Sequence, residues 1–309
     1  MPACHRGRTT LWRAIAFASL ELGLITGGAE AECPDTKCGG MDIPYPFSIF
    51  GQDNSRPFLG DFEVLNFSLQ LGQLRVLNRI SSFCYNTTSQ ETEPHKWNKN
   101  LSAPFRLSDT GNKFTVIGCR TLAYITDRDV KYMSGYVSAC QRDGVTSATN
   151  GSCSGIGCCQ TTIPKGLDFY QVSFDKGLNM LDSIYNATPC SYAVLIDSSN
   201  FNFSTSYLTS LEFYTTYGGR EPMLLDWAIR TANNCDEAQK NLTSYACKSD
   251  NSECINSSNG PGYICNCTNG YHGNPYRQNG CQRKIPCNLI TARILELRDY
   301  PQYLLKCRK

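Results

Sequence analysis

Between residues 33 and 230, short β-branched or aromatic runs alternate with clusters of Gly, Asn, Ser and Pro. Gln73–Leu77, Lys113–Ile117, Leu122–Ile125, Phe169–Phe174, Tyr192–Ile196 and Glu212–Tyr217 are the clearest runs. Segments of this length and composition, bounded by turn residues, predict strands. Helical patterning is short, around Leu224–Ile229 and Asp236–Leu242. The expected fold is therefore mostly β, small and disulfide-rich, with an irregular β-rich cysteine-knit domain over 32–230.

The first residues follow a different pattern. Arg6, Arg8 and Arg13 precede the apolar stretch Ala14–Leu20, and Ala29-Glu30-Ala31 offers a small-x-small cleavage site. This predicts a signal peptide over 1–31, although Glu21 interrupts its apolar run. No stretch of about 18 apolar residues follows, so no transmembrane span is expected after the signal peptide.

Composition sharpens the compartment. The chain is 41% hydrophobic and 18% charged, which suits a globular protein, yet 18 of its 309 residues are cysteine. That usage belongs to an oxidising compartment, where thiols become crosslinks. Asn-x-Ser/Thr acceptors begin at Asn66, Asn86, Asn100, Asn150, Asn186, Asn202, Asn241, Asn256 and Asn266. Roughly four would arise by chance at this composition, so the excess predicts a secreted, glycosylated surface.

Cys235, Cys247, Cys254, Cys265, Cys267 and Cys281 follow one another with gaps of 11, 6, 10, 1 and 13 residues. This spacing resembles an epidermal growth factor-like (EGF-like) module, expected over 231–282. Gly260, Gly262, Gly270 and Gly273 supply its turns. Spacing alone permits 15 pairings of six cysteines; the resemblance implies Cys235 with Cys254, Cys247 with Cys265, and Cys267 with Cys281. Zinc is disfavoured because Cys265-Asn266-Cys267 lacks the paired spacing of a tetrahedral site. Thr231-Ala232-Asn233-Asn234 lacks the carboxylates that a calcium site before the first cysteine would use. No metal and no cofactor is expected.

Three further segments, taken in order, resemble the extracellular region of plant wall-associated receptor kinases, in particular its galacturonan-binding domain. The first runs from Cys33-Pro34 to Cys38-Gly39-Gly40 and on to Ile43-Pro44-Tyr45-Pro46-Phe47. The second holds Leu74 to Asn78, then Ser81-Ser82-Phe83-Cys84-Tyr85, and ends at Cys119. The third is Gly151-Ser152-Cys153-Ser154-Gly155-Ile156-Gly157-Cys158-Cys159-Gln160, followed by Pro189-Cys190-Ser191-Tyr192-Ala193. With Leu225-Asp226-Trp227-Ala228-Ile229 and the six-cysteine region, the resemblance spans about 33 to 281.

The departures are informative. The family carries cysteines near Pro57 and Asn66, and a third where Tyr136 stands. The nine that remain between Cys33 and Cys190 (Cys33, Cys38, Cys84, Cys119, Cys140, Cys153, Cys158, Cys159 and Cys190) cannot all pair among themselves, so one thiol is expected to be stranded. Cys158 and Cys159 are expected in two separate crosslinks, because a bond between neighbours is strained. After Cys281 the resemblance stops, and 283–309 forms a divergent basic tail with a net charge of +5, expected as that of a truncated product.

The resemblance implies binding of pectic polysaccharide, whose galacturonan carries a carboxylate on each unmodified sugar. Such a ligand calls for Lys or Arg beside aromatic faces. Residues 32–281 hold 19 basic and 23 acidic groups, giving no general pull on an acidic polymer, but 75–131 hold nine against five. Arg75, Arg79, Lys113 and Arg120 in that window are candidate ligand contacts, with solvated surface charge as the plainer reading. Tyr45 and Phe47, framed by Pro44 and Pro46, are candidate stacking rings; core packing is the commoner fate of such side chains.

Catalytic patterns are missing. Only His95 and His272 remain after the leader, and neither a Gly-x-Ser-x-Gly nor a kinase glycine-rich loop occurs. The expectation is a non-enzymatic binding protein, secreted or wall-associated. The alternative is a protein-interaction module that pairs with full-length receptor kinase ectodomains. Nucleic acid is not expected as a partner.

Overall fold

The computed structural model describes residues 37–38, 41–44, 47, 56–86, 88, 91–95, 97–101, 103–140, 147–175, 188–216 and 218–283. The expected signal peptide, Cys33, Tyr45, Asn186 and residues 284–309 of the tail lie outside them, and of Cys38, Asn86 and His95 only the backbone is described.

The first half of the described chain is built from strands β1 (Lys37–Cys38), β2 (Met41–Asp42), β3 (Phe58–Leu59), β4 (Phe62–Ser68), β5 (Gln73–Arg79), β6 (Ser81–Asn86), β7 (Glu91–His95), β8 (Asn98–Asn100), β9 (Phe105–Leu107) and β10 (Asn112–Ile117). Then come β11 (Thr121–Thr126), β12 (Met133–Ser138), β13 (Cys158–Thr161), β14 (Phe169–Phe174), β15 (Cys190–Asp197) and β16 (Arg220–Trp227). Helices α1 (Ser206–Thr209) and α2 (Glu212–Thr215) precede β16, and α3 (Cys235–Gln239) follows it. The six-cysteine region adds β17 (Ser252–Asn256), β18 (Tyr263–Cys267), β19 (Tyr271–Gly273) and β20 (Cys281–Arg283).

Three antiparallel sheets carry the main body, in the orders β3-β4-β5-β16-β9, β13-β10-β15-β6-β7 and β12-β11-β14-β8. The organising strand is β15, buried at all eight positions. Side chains alternate across a strand, so Ala193 and Leu195 enter one core with Val76, Phe114 and Met223. Tyr192, Val194 and Ile196 enter a second core, closed by Phe203, Leu208 and Phe213 from the helical segment. A strand buried on both faces reads as a continuous apolar run, which Tyr192–Ile196 does.

Two local expectations are overturned. The strand expected over Glu212–Tyr217 does not form over its described residues: Glu212–Thr215 form α2, which buries Phe213 alone, while the Thr215 and Thr216 hydroxyls donate to the Glu212 carbonyl. Leu224–Ile229 is not a helix, because Leu224 to Trp227 belong to β16, which pairs with β5 on one side and β9 on the other. Two ladders of hydrogen bonds override the helical preference of the Met-Leu-Leu run. The helix expected over Asp236–Leu242 is shorter, Cys235–Gln239, and starts where the Asn234 side chain accepts from the Glu237 amide at 2.9 Å.

Disulfides join Cys84 to Cys190, Cys119 to Cys140 and Cys153 to Cys158 in the main body. Those of the six-cysteine region join Cys235 to Cys254, Cys247 to Cys265 and Cys267 to Cys281. Contrary to the expectation of two crosslinks at Cys158-Cys159, Cys159 has no disulfide partner among the described residues. Its buried Sγ donates to the Val137 carbonyl at 3.3 Å, one residue beyond Tyr136, where the resembled family carries a cysteine. Burial pushes the Cys159 thiol pKa up.

The six-cysteine region is packed onto the main body. Ile229 and Tyr263 exchange backbone hydrogen bonds of 2.8 and 3.0 Å. Trp227 lies 5.6 Å from the Tyr276 ring, and both belong to the first core. Gly262, at φ +126°, is required at this seam: a Cβ there would stand 2.6 Å from the Ile229 carbonyl oxygen. Asn259, 1% exposed, donates to the Leu107 carbonyl and to Asp226, both at 2.8 Å, and accepts from the Gly166 amide at 2.6 Å.

Candidate functional site

The densest grouping of cations and aromatic rings forms at the end of the first sheet, against β8. Arg79 closes β5 directly opposite Arg220 at the start of β16. Beside them Glu63 of β4 is buried and takes Arg220 at 2.9 Å and Arg56 at 2.5 Å. Two cations on one buried carboxylate leave the pair of arginines anchored and still positive. The β3–β4 hairpin turns at Gly60-Asp61, where Gly60 has the positive φ of +61° that a two-residue turn needs. That turn brings Asp61 to Lys99 as an ion pair. The Lys99 hydrogen bond, its charge and the Arg79 charge hold the Asp61 carboxyl below its ordinary pKa.

Trp97 stands between these cations. The Arg79 guanidinium lies 5.0 Å from its ring centre and the Lys99 ammonium 6.0 Å, with Phe62 5.4 Å from Lys99. The indole is fixed by donation of Nε1 to Asn78 Oδ1 at 3.1 Å. Asn78 is fully buried, receives the Tyr170 hydroxyl on the same oxygen and donates to the Leu195 carbonyl at 3.2 Å. Burial pushes the Tyr170 phenol pKa well above its ordinary value, so it stays a neutral donor.

The row continues across β8, which lies at the border of its sheet. Asn100 pairs with Phe169 of β14; Arg128 donates to the Asn100 carboxamide and lies 5.3 Å from the Phe169 ring centre. Arg56, Arg220, Arg79, Lys99 and Arg128 thus line up in one chain of contacts, in which Glu63 and Asp61 are ion-pair partners among the described residues. Cations placed in such a ridge can hold carboxylates.

Of the six candidate ligand residues, only Arg79 is in this ridge. Arg75 shares its strand but pairs with the buried Asp197 at 2.9 Å; four residues along a strand is about 13 Å. Burial pushes the Asp197 carboxyl up, but hydrogen bonds from Ser199 and Asn200 and the Arg75 charge outweigh it and lower the pKa. Lys113 lies in β10 opposite Ile196, and Arg120 in the turn after β10 at φ +54°. Neither makes an ion pair or ring contact with the ridge among the described residues. Phe47 is core, 5.0 Å from both Phe67 and Trp227, and Tyr45 lies outside the described residues.

The residues that sequence reasoning did not single out fall into two kinds. Trp97 and Lys99 sit inside the positive window and had a local signal, a tryptophan two residues from lysine. Arg220 arrives by cross-strand pairing and Arg56 from the segment before β3, both from outside it, and they had none.

Among the acceptor asparagines, Asn66, Asn100, Asn150, Asn202, Asn241 and Asn256 are exposed, whereas Asn266 is half-buried. Before Cys235, Asn234 is committed to capping α3, and the Asn233 amide donates to Glu237 at 2.9 Å. No group of three or more His, Cys, Asp or Glu side chains among the described residues could hold a metal ion. No described helix is long and apolar enough to cross a membrane.

Comparison with known proteins gives a consistent set of relatives. The chain is 34% identical to wall-associated receptor kinase 2 of Arabidopsis thaliana over 280 residues, 85% of this chain and 36% of the relative. It is 33% identical to wall-associated receptor kinase 1 over 297 residues, 89% of this chain and 38% of the relative. With wall-associated receptor kinase 5 it shares 31% over 307 residues, 93% of this chain and 39% of the relative. The chain thus spans less than two fifths of the length of these curated relatives, all from Arabidopsis thaliana. No family model and no solved structure matches it.

Proposed function

Because the chain is a homologue of the wall-associated receptor kinases with a disulfide-rich, ectodomain-like β fold, we propose that it is an extracellular, glycosylated binding protein that holds pectic galacturonan. In this reading it is not an enzyme. The observation that carries the proposal is the Arg79–Trp97–Lys99 grouping, where two cations flank an indole held in place by a buried asparagine. A galacturonan segment brings repeated carboxylates to Arg79, Lys99 and Arg128, and sugar-ring faces to Trp97. Charge-assisted pairs at an exposed surface weaken with salt. Retention on de-esterified pectin should therefore fall as salt rises and fall again on methyl-esterified pectin, whose carboxylates are capped. Retention indifferent to both contradicts the proposal.

A second reading rests on border strand β12, where Met133, Tyr136 and Val137 are exposed. These exposed apolar side chains favour contact with another protein, such as a related receptor ectodomain. Capture of a full-length relative by a chain that does not retain pectin would support it.

A further inference from the structure

The ridge has a glycan acceptor in its middle. Asn100-Leu101-Ser102 is an Asn-x-Ser triplet, and Asn100 is exposed on border strand β8, between Lys99 on one side and the Arg128 contact on the other. The carboxamide oxygen is committed to Arg128. The carboxamide nitrogen, the atom that carries an N-linked glycan, has no hydrogen-bond partner among the described residues. Of the other exposed acceptors, Asn241 and Asn256 lie in the six-cysteine region, and Asn150 and Asn202 meet at the Gly151 turn. Asn66 pairs across the sheet with Arg75, which is turned to Asp197.

We infer that an N-linked glycan on Asn100 masks the ridge against acidic polysaccharide, so that occupancy of this acceptor sets how strongly the chain binds. The inference rests on the reading of the ridge as the galacturonan site. Consecutive residues of a strand point to opposite faces, so the glycan leaves on the Arg128 side while Lys99 leaves on the other. A polymer that engages both must cross the border of β8, over the atom from which the glycan springs. A branched glycan is far wider than the spacing of about 4.8 Å between neighbouring strands, so it covers the crossing without disturbing the fold beneath. Its uncharged core offers the cations no substitute for a carboxylate.

The test uses the full chain secreted from a glycosylating host, with occupancy at Asn100 read by glycopeptide mass analysis. Ser102→Ala removes the acceptor and keeps Asn100; Ser102→Thr keeps the acceptor and controls for folding. The expected result is that Ser102→Ala binds de-esterified polygalacturonate about tenfold more tightly than the occupied wild type, a difference of about 1.4 kcal/mol. Ser102→Thr should match wild type, and Ser258→Ala, which removes the Asn256 acceptor, should change nothing. An unoccupied Asn100, or an occupied one whose removal leaves binding unchanged, overturns the inference. Arg79→Ala in the Ser102→Ala background separates the two levels: if it lowers binding while Ser102→Ala gains nothing, only the glycan inference fails. If Arg79→Ala has no effect, the ridge reading itself fails.

Discussion

In the six-cysteine region three disulfides, spanning 19, 18 and 14 residues, tie together fewer than sixty residues with few buried apolar side chains. The β body has three disulfides as well, but its strands meet through two apolar cores, and one bond, Cys84–Cys190, spans 106 residues between adjacent strands. The comparison teaches that crosslink number is a poor guide to what holds each part. A disulfide stabilises chiefly by shortening the loops of the unfolded chain, so the long closure contributes most. The small region would be marginal on its own area; here Tyr263 and Tyr276 join the core of its larger neighbour.

The sharpest break of that comparison is to remove one bond from each side. Cys84→Ser with Cys190→Ser should lower stability by about 4–5 kcal/mol, against about 3 kcal/mol for Cys267→Ser with Cys281→Ser. Hydrogen exchange should show the first loss across β5, β15 and β16, and the second confined to β19 and β20. Equal and local losses would mean that the cores do not couple the strands.

Next in size is the seam. Asn259→Ala leaves the Gly166 amide, the Leu107 carbonyl and Asp226 without the partner that joins them, and should cost about 1–3 kcal/mol. Faster exchange at Gly166 checks it. No change there would mean that the two regions are merely adjacent.

The last effect is one of pH and belongs to the β body. Burial pushes the Glu221 carboxyl up to about 7, and the opposing Arg75 charge does not offset it. A buried acid with a raised pKa binds more protons folded than unfolded, so stability falls as pH climbs from the ordinary carboxyl range to about 7. Asp61 and Asp197 are lowered instead; their contribution is lost only below that range. Between pH 5 and 7.5 the melting temperature should drop by roughly 4–8 °C, the equivalent of about 2 kcal/mol at this size, and Glu221→Gln should flatten the slope.

What could be read from the chain is what near neighbours decide. The β15 run Tyr192–Ile196 is legible because both its faces are apolar. The six-cysteine spacing is legible as a resemblance to an EGF-like module, which implies a pairing that spacing alone leaves open among 15. Leu224 to Trp227 misled because Met and Leu suit helices, and only the flanking β5 and β9 make that segment a strand. Phe213 misled in the opposite sense, since a single helical turn can bury one aromatic ring. The ridge was legible only at Arg79. Arg56 and Arg220 come from distant segments, and Trp97 is oriented by Asn78, whose own burial is a property of the assembled sheets.

The most direct measurement sets the ridge against the cations that share its sequence window but not its place. Affinity for a short oligogalacturonide should be measured across a salt series for Arg79→Ala/Lys99→Ala and for Lys113→Ala/Arg120→Ala. The account predicts a loss of about tenfold or more and a shallower salt dependence for the first pair, as two cations leave the contact, and wild-type binding for the second. Equal losses in both, or an unchanged first pair, would contradict it.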